Sequence, residues 1–195
     1  MLFRSQERAD ADGGISELLR ANALQETARA LSNELDLASL LKKLMTIVIQ
    51  TAGAERGRLF AADEAGELRL EAVGELRGGR VGTEVELGRP LEEIEDAALS
   101  VIRYAANTRE TVVIEDARRD GRHALDPYIQ SRRVRSLYAQ PLFKQGKLFG
   151  ILYLENNQTS GVFTENRIRM LGIILSHIVI TIENARLYAN VKRLN

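Results

Sequence analysis

Residues 136 to 156 read SLYAQPLFKQGKLFGILYLEN, and this stretch decides the architecture. Two apolar runs of strand length flank the short polar segment Lys144-Gln145-Gly146-Lys147, in which Gly146 can take a positive φ. Antiparallel pairing across that turn is the cheapest local solution, so the stretch predicts a β-hairpin. Neither run alternates cleanly between apolar and polar. Leu148, Gly150, Leu152 and Leu154 fall on one side of the second run and Phe149, Ile151, Tyr153 and Glu155 on the other. Both faces are largely apolar and need covering, which puts the hairpin at the centre of a sheet. Pro141 cannot donate to a ladder, so it marks a bulge or the point where pairing with one neighbour stops.

Downstream, residues 157 to 163 read as a loop, and Thr164 can cap a long final helix with Glu165 in its first turn. In that helix Ile168, Leu171, Leu175, Ile178, Ile182 and Ala185 recur three and four apart, a stripe suited to covering the sheet. Met170, Ile173, Ile174, His177, Ile180, Leu187, Val191 and Leu194 lie off it. A helix apolar on two sides must be buried on two sides.

Upstream, residues 117 to 135 are polar and rich in arginine, with a short helix predicted at Asp126-Pro127, where proline suits the first turn. Thr111 to Ile114 reads as a short β-branched strand and Leu91 to Thr108 as a helix. Residues 74 to 90 contain five glycines and few apolar residues, which predicts a loop. Before it, Arg56 to Ala61 and the alternating Leu68, Leu70 and Ala72 read as two strands. Asp36 can cap a helix whose broad face is Leu37, Leu40, Leu41, Leu44, Ile47, Val48 and Thr51. A narrower stripe of Leu24, Ala28, Leu31 and Leu35 predicts a separate helix over 15 to 35 that packs on another helix, and residues 1 to 14 read as disordered.

Composition narrows the function classes. The 27 basic and 27 acidic residues cancel, which removes the usual electrostatic case for a nucleic-acid partner. No cysteine is present, so thiol nucleophiles, thiolate metal sites and a thioether-linked bilin are excluded. No stretch reads as a secretory signal or membrane span, and the expectation is a cytoplasmic protein.

The chain resembles a GAF domain. The resemblance rests on Ala54-Glu55-Arg56-Gly57, Val113-Ile114-Glu115-Asp116-Ala117, Arg135-Ser136-Leu137 and the string from Gly146 to Asn156. Phe163-Thr164 and the closing Ile182-Glu183-Asn184-Ala185-Arg186-Leu187-Tyr188 complete it. Asp126-Pro127-Tyr128-Ile129 together with Leu152-Tyr153-Leu154-Glu155-Asn156 is most similar to GAF domains of bacterial multi-domain sensor histidine kinases. The resemblance implies a PAS-like α+β sandwich over 36 to 188, with a five- or six-stranded antiparallel sheet, a ligand pocket on one face and terminal helices on the other. Residues 189 to 195 would extend the signalling helix.

It also implies a sensory or regulatory module of a two-component signalling protein, with a small-molecule ligand and an attached effector domain. The alternatives are a ligand-free dimerisation scaffold and, less favoured, an enzyme. The expected ligand residues are Phe60, Asp116, Arg118, His123, Tyr128, Arg135, Tyr138, Gln140 and Tyr153, on the sheet and on the segment 116 to 135 capping it. Each has a plainer reading: arginines paired with nearby acids on a solvated loop, tyrosines packed in the core. Two distant histidines are a poor haem set, and no nucleophile elbow accompanies either, so no catalytic residue and no metal ligand is assigned. A homodimer is expected through Leu24, Ala28, Leu31, Ile173, His177, Ile180, Leu187 and Val191 on the terminal helices.

Overall fold

The computed structural model describes residues 37 to 194. The predicted helix over 15 to 35, with Leu24, Ala28 and Leu31, and the cap Asp36 lie outside the described residues, as does residue 195. Helix α1 (Leu37–Ala52) leads into β1 (Arg56–Ala62), β2 (Leu68–Arg77) and β3 (Arg80–Pro90). Helix α2 (Leu99–Thr108), β4 (Val112–Ile114) and the short α3 (Pro127–Arg132) follow. The chain closes with β5 (Ser136–Lys144), β6 (Lys147–Asn156) and the 30-residue α4 (Glu165–Leu194). The strands form one six-stranded sheet in the order β3-β2-β1-β6-β5-β4, with every neighbouring pair antiparallel.

The hairpin forms as expected. Lys144 pairs with Lys147 across Gln145 and Gly146, both at positive φ (47° and 76°), the geometry of a two-residue turn matched to strand twist. Strand β6 is central and β5 lies inside the short edge strand β4. That edge strand reaches only Leu137 to Ala139, so pairing on its side stops before Pro141, while Pro141 still pairs with Ile151 on β6. One detail of the alternation is corrected. The register shifts between Leu142 and Phe143, so Phe149 is the extra residue and Leu148 joins the face of Ile151 and Tyr153.

Two further expectations are corrected. Residues 74 to 90 are not a loop: β2 continues to Arg77, Gly78-Gly79 makes a two-residue turn, and β3 returns to Pro90. A glycine pair reads as irregular chain, yet adjacent positive φ values (55° and 78°) are what a tight hairpin requires. The segment from Leu91 is not continuous helix either. A 3-10 turn at Leu91–Glu93 and extended chain bury Leu91, Ile94, Ala97 and Ala98 before α2 starts at Leu99. Those side chains satisfy a helical period, but extended backbone buries them equally well.

Two cores sandwich the sheet. On one face α1 and α4 bury Leu41, Met45, Val48 and Ile49 against Leu171, Leu175, Ile178 and Ile182. The buried stripe of α1 is rotated from the expected one, leaving Ile47 half exposed while Met45 and Ile49 pack inside. The stripe expected for the final helix covers the sheet from Ile168 to Ile182, with the side chain of Ala185 outside the described residues, and the Thr164 carbonyl accepts the Ile168 amide at 2.9 Å at its start. On the other face, α2, α3 and their connections bury Val101, Ile102, Ala105 and Ile129 against Phe60, Leu70, Ile151 and Tyr153. Each fully buried side chain of this size contributes about 1.5 to 3 kcal/mol, so both layers are needed to hold the sheet.

Candidate ligand site on the sheet

Strand β1 begins with Arg56, Gly57 and Arg58, and alternation sends both arginines to the face that carries Phe60. Arg56 pairs in register with Glu155 on β6 and with Glu75 on β2. Four charged side chains, Arg56, Arg58, Glu75 and Glu155, thus share one end of an otherwise apolar sheet face. Glu155 is fully buried and accepts two tyrosine hydroxyls, Tyr128 at 2.7 Å and Tyr153 at 2.8 Å. Arg56 reaches its carboxylate at 3.8 Å, donates to the Tyr128 hydroxyl at 3.4 Å, and donates to Glu75 at 3.1 Å. Burial raises the pKa of Glu155, offset in part by the Tyr128 hydroxyl and the charge of Arg58. Burial beside this carboxylate likewise pushes both hydroxyls up.

Arg58 is 4% exposed and holds Asp96 through Nε, at 3.3 Å from Oδ1, and through Nη2. Its Nη1 is buried and makes no hydrogen bond among the described residues. Desolvation opposes the charge of Arg58, yet the bonds to Asp96 leave its pKa raised and hold the Asp96 carboxyl below the ordinary range.

Arg56, Arg58, Glu75 and Asp96 line a cleft of about 620 Å³ with the β2–β3 hairpin and the end of α3. Arg77, Arg80 and Arg132 join Arg56 and Arg58 around it, against Glu75, Glu84, Glu86 and Asp96. Five guanidinium groups therefore face four carboxylates. Val73 adds apolar surface on the same face, while Val81 and Thr83 of β3 turn their side chains toward the α1 core.

The expected site residues are divided by the fold. Tyr128 and Tyr153 meet at Glu155, which touches Arg56 of the cleft lining, but neither tyrosine lines the cleft itself. Phe60 is fully buried beneath α2 as core. Tyr138 lies on the opposite face against Phe163, with its hydroxyl turned to Gln140, so this pair does not join Tyr153. A side-chain period of two separates positions 138 and 153 across paired strands once the register is set. Asp116 caps the 3-10 turn Ala117–Arg119 and binds Arg118, whose hydrogen bonds hold its carboxyl down at about 2. Arg118 also lines a shallow hollow of about 260 Å³ with Gln130 and Arg133. Arg135 donates to the Gln158 carbonyl at 2.9 Å, fastening the loop after β6.

His123 is buried beside α2, its Nδ1 3.1 Å from the Ser100 hydroxyl and its ring edge-on to Tyr104. Burial lowers its pKa. Asp126 ties this corner together: one oxygen accepts the Tyr128 and Ile129 amides at the start of α3, the other the Ser100 amide at the start of α2. The segment 116 to 135 is thus largely self-bonded, with Arg132 its contribution to the large cleft.

Sequence reasoning missed Arg56, Arg58, Glu75, Asp96 and Glu155. Two arginines at alternate positions of a strand ending in Leu59-Phe60-Ala61 were the available signal. A charged side chain on an apolar face needs a partner there.

Among the dimer residues expected, Ile173 and Ile180 are more than half exposed on α4, as is Leu187, and His177 is exposed on the same side. The side chain of Val191 lies outside the described residues. No helix among the described residues is long and apolar enough to cross a membrane.

An antiparallel sheet between a two-helix layer and a layer of short helices, with a charged cleft at one end, defines an α+β sandwich. The GAF domain family matches residues 36 to 182, and the chain belongs to that family. It is 38% identical over 96 residues, 49% of the chain, to hybrid signal transduction histidine kinase G of Dictyostelium discoideum, of which it covers 3%. It is 30% identical over 168 residues, 84% of the chain, to the dual 3',5'-cyclic-AMP and -GMP phosphodiesterase 11A of Takifugu rubripes, of which it covers 18%. The chain therefore spans a small part of each curated relative. The GAF domain of a two-component sensor histidine kinase from Bacillus halodurans has the same fold, with a TM-score of 0.54 at 18% identity over 76% of this chain and 97% of that one.

Proposed function

We propose that this chain is a sensory GAF domain of a cytoplasmic, bacterial signal-transduction protein, holding a small molecule in the cleft over β1 to β3 and passing its state through dimeric terminal helices to an effector domain. The observation that carries this reading is the position of the cleft. It opens on one face of a sheet whose other face is covered by α1 behind β1 to β3 and by α4 packed beside α1, and α4 leaves an apolar row, Met170, Ile173, Ile180 and Leu187, without cover from the described residues. One rigid sheet thus touches both the ligand space and the helix suited to transmission. The relationship to histidine kinase G supports the signalling role, and the chain itself carries no assigned catalytic residue.

A ligand-free dimerisation scaffold is the second reading, favoured by the filled core at Phe60 and Tyr153. Native mass spectrometry of freshly purified protein separates the two. A dimer carrying a stoichiometric small molecule is the expected result; a bare dimer supports the scaffold, and a bare monomer removes both.

A further inference from the structure

The ligand class is written in the floor of the cleft. Arg58 comes from a strand in the middle of the sheet, is 4% exposed, and is clamped on two of its three nitrogens by Asp96. Nη1 remains, buried and with no hydrogen bond among the described residues. A guanidinium nitrogen in that condition is costly, since a buried donor without an acceptor forfeits its hydration. Three carboxylates of this region are already engaged, Glu155 by two tyrosines and Arg56, Glu75 by Arg56 and Arg77, and Glu86 by Arg89, while the exposed Glu84 forms no ion pair with a described residue. At the mouth, the exposed Arg80 and Arg132 form no ion pair with a described residue.

We infer that the cleft takes a small organic anion, whose carboxylate or phosphate is received by Arg58 Nη1 at the floor and drawn in by Arg80 and Arg132 at the mouth. This rests on the sensor reading above and adds the ligand's charge to it. Guanidinium suits both oxyanions, because its N–H groups lie in one plane and match two oxygens at once. Asp96 then has two parts. It holds the Arg58 side chain in place, and it competes with the ligand for the same guanidinium. Its half-exposed carboxylate occupies two of the three guanidinium nitrogens, so its removal frees them.

The test titrates inorganic phosphate and, separately, succinate into the full chain by calorimetry at fixed ionic strength. Saturable one-to-one binding of either is expected; phosphate alone points to a phosphorylated ligand, succinate alone to a carboxylate. Arg58→Lys keeps the charge and loses the planar fork, and should weaken binding about tenfold or more. Asp96→Ala should tighten it several-fold, an opposite sign that does not depend on Arg58→Lys folding. Arg80→Gln with Arg132→Gln, both on the surface, should weaken it several-fold and steepen no other property. Absence of saturable binding by both anions at millimolar concentration overturns the inference, as does binding indifferent to Arg58→Lys and Asp96→Ala. A neutral molecule co-purifying in the cleft while both anions fail overturns the anion alone and leaves the sensor reading standing.

Discussion

Tyr153 and Glu155 stand two residues apart on one face of β6, and the Tyr153 hydroxyl donates to Glu155 at 2.8 Å while accepting the Ala98 amide at 3.2 Å. A single hydroxyl therefore joins the buried carboxylate beside Arg56 to the start of α2, a helix whose own N-cap residue, Ala98, offers no side-chain acceptor. The consequence is mechanical as well as energetic. A shift of Glu155 therefore acts through one hydroxyl on the start of α2.

Removing either hydroxyl leaves Glu155 short of a donor where water does not replace it. Tyr128→Phe and Tyr153→Phe should each cost about 1.5 to 3 kcal/mol in urea unfolding, because both bonds go to a charged group. The double variant should fall short of the sum, since both act on one carboxylate. Losses under about 0.5 kcal/mol would show that the network is not strained by their absence.

Two glycine substitutions should move stability in opposite directions. A Cβ on Gly150 would lie 2.1 Å from the Phe60 carbonyl oxygen, where β6 and β1 approach at the centre of the sheet. Gly150→Ala should cost at least about 3 kcal/mol or prevent folding, because backbone must move to admit it. A Cβ on Gly172 meets nothing within 4 Å on α4, so Gly172→Ala should stabilise by roughly 0.5 to 1 kcal/mol. Thermal unfolding of the pair checks both signs.

His123 has its pKa lowered by burial, opposed by Asp120 and Asp126 and aided by Arg122. The unfolded chain binds this proton more readily than the folded one, so stability is full above the unfolded value near 6.5 and falls as pH drops through it. His123→Gln should flatten the unfolding profile between about pH 7 and pH 5 relative to the parent. A parent profile already flat over that interval would refute the assignment.

Ile173→Glu with Ile180→Glu places two charges in the uncovered row of α4 without touching the buried stripe. Sedimentation should show the dimer constant weakened by about a hundredfold or more, with the melting temperature of the monomeric fold retained. A parent protein that is monomeric at micromolar concentration, or a dimer indifferent to both changes, would place the interface elsewhere.

Residue chemistry along the chain was enough for the features that depend on near neighbours. Gln145-Gly146 makes the hairpin turn, Asp126-Pro127 starts α3, Pro141 outlasts the edge pairing, and the stripe from Leu171 to Ile182 covers the sheet. Each is set by dihedral preference, a missing donor, or a period of 3.6, all of which act over a few residues. The third strand escaped because its glycines and charges resemble a loop until β2 supplies a ladder for them. Tertiary structure alone decided the site. Asp126 caps α2 as well as α3, Arg58 finds Asp96 across 38 positions, and Tyr128 meets Glu155 across 27, while Tyr138 is carried to the far face. Those pairings follow from strand order and register, which decide the partners of a buried charge and leave no trace in the spacing of the residues that answer it.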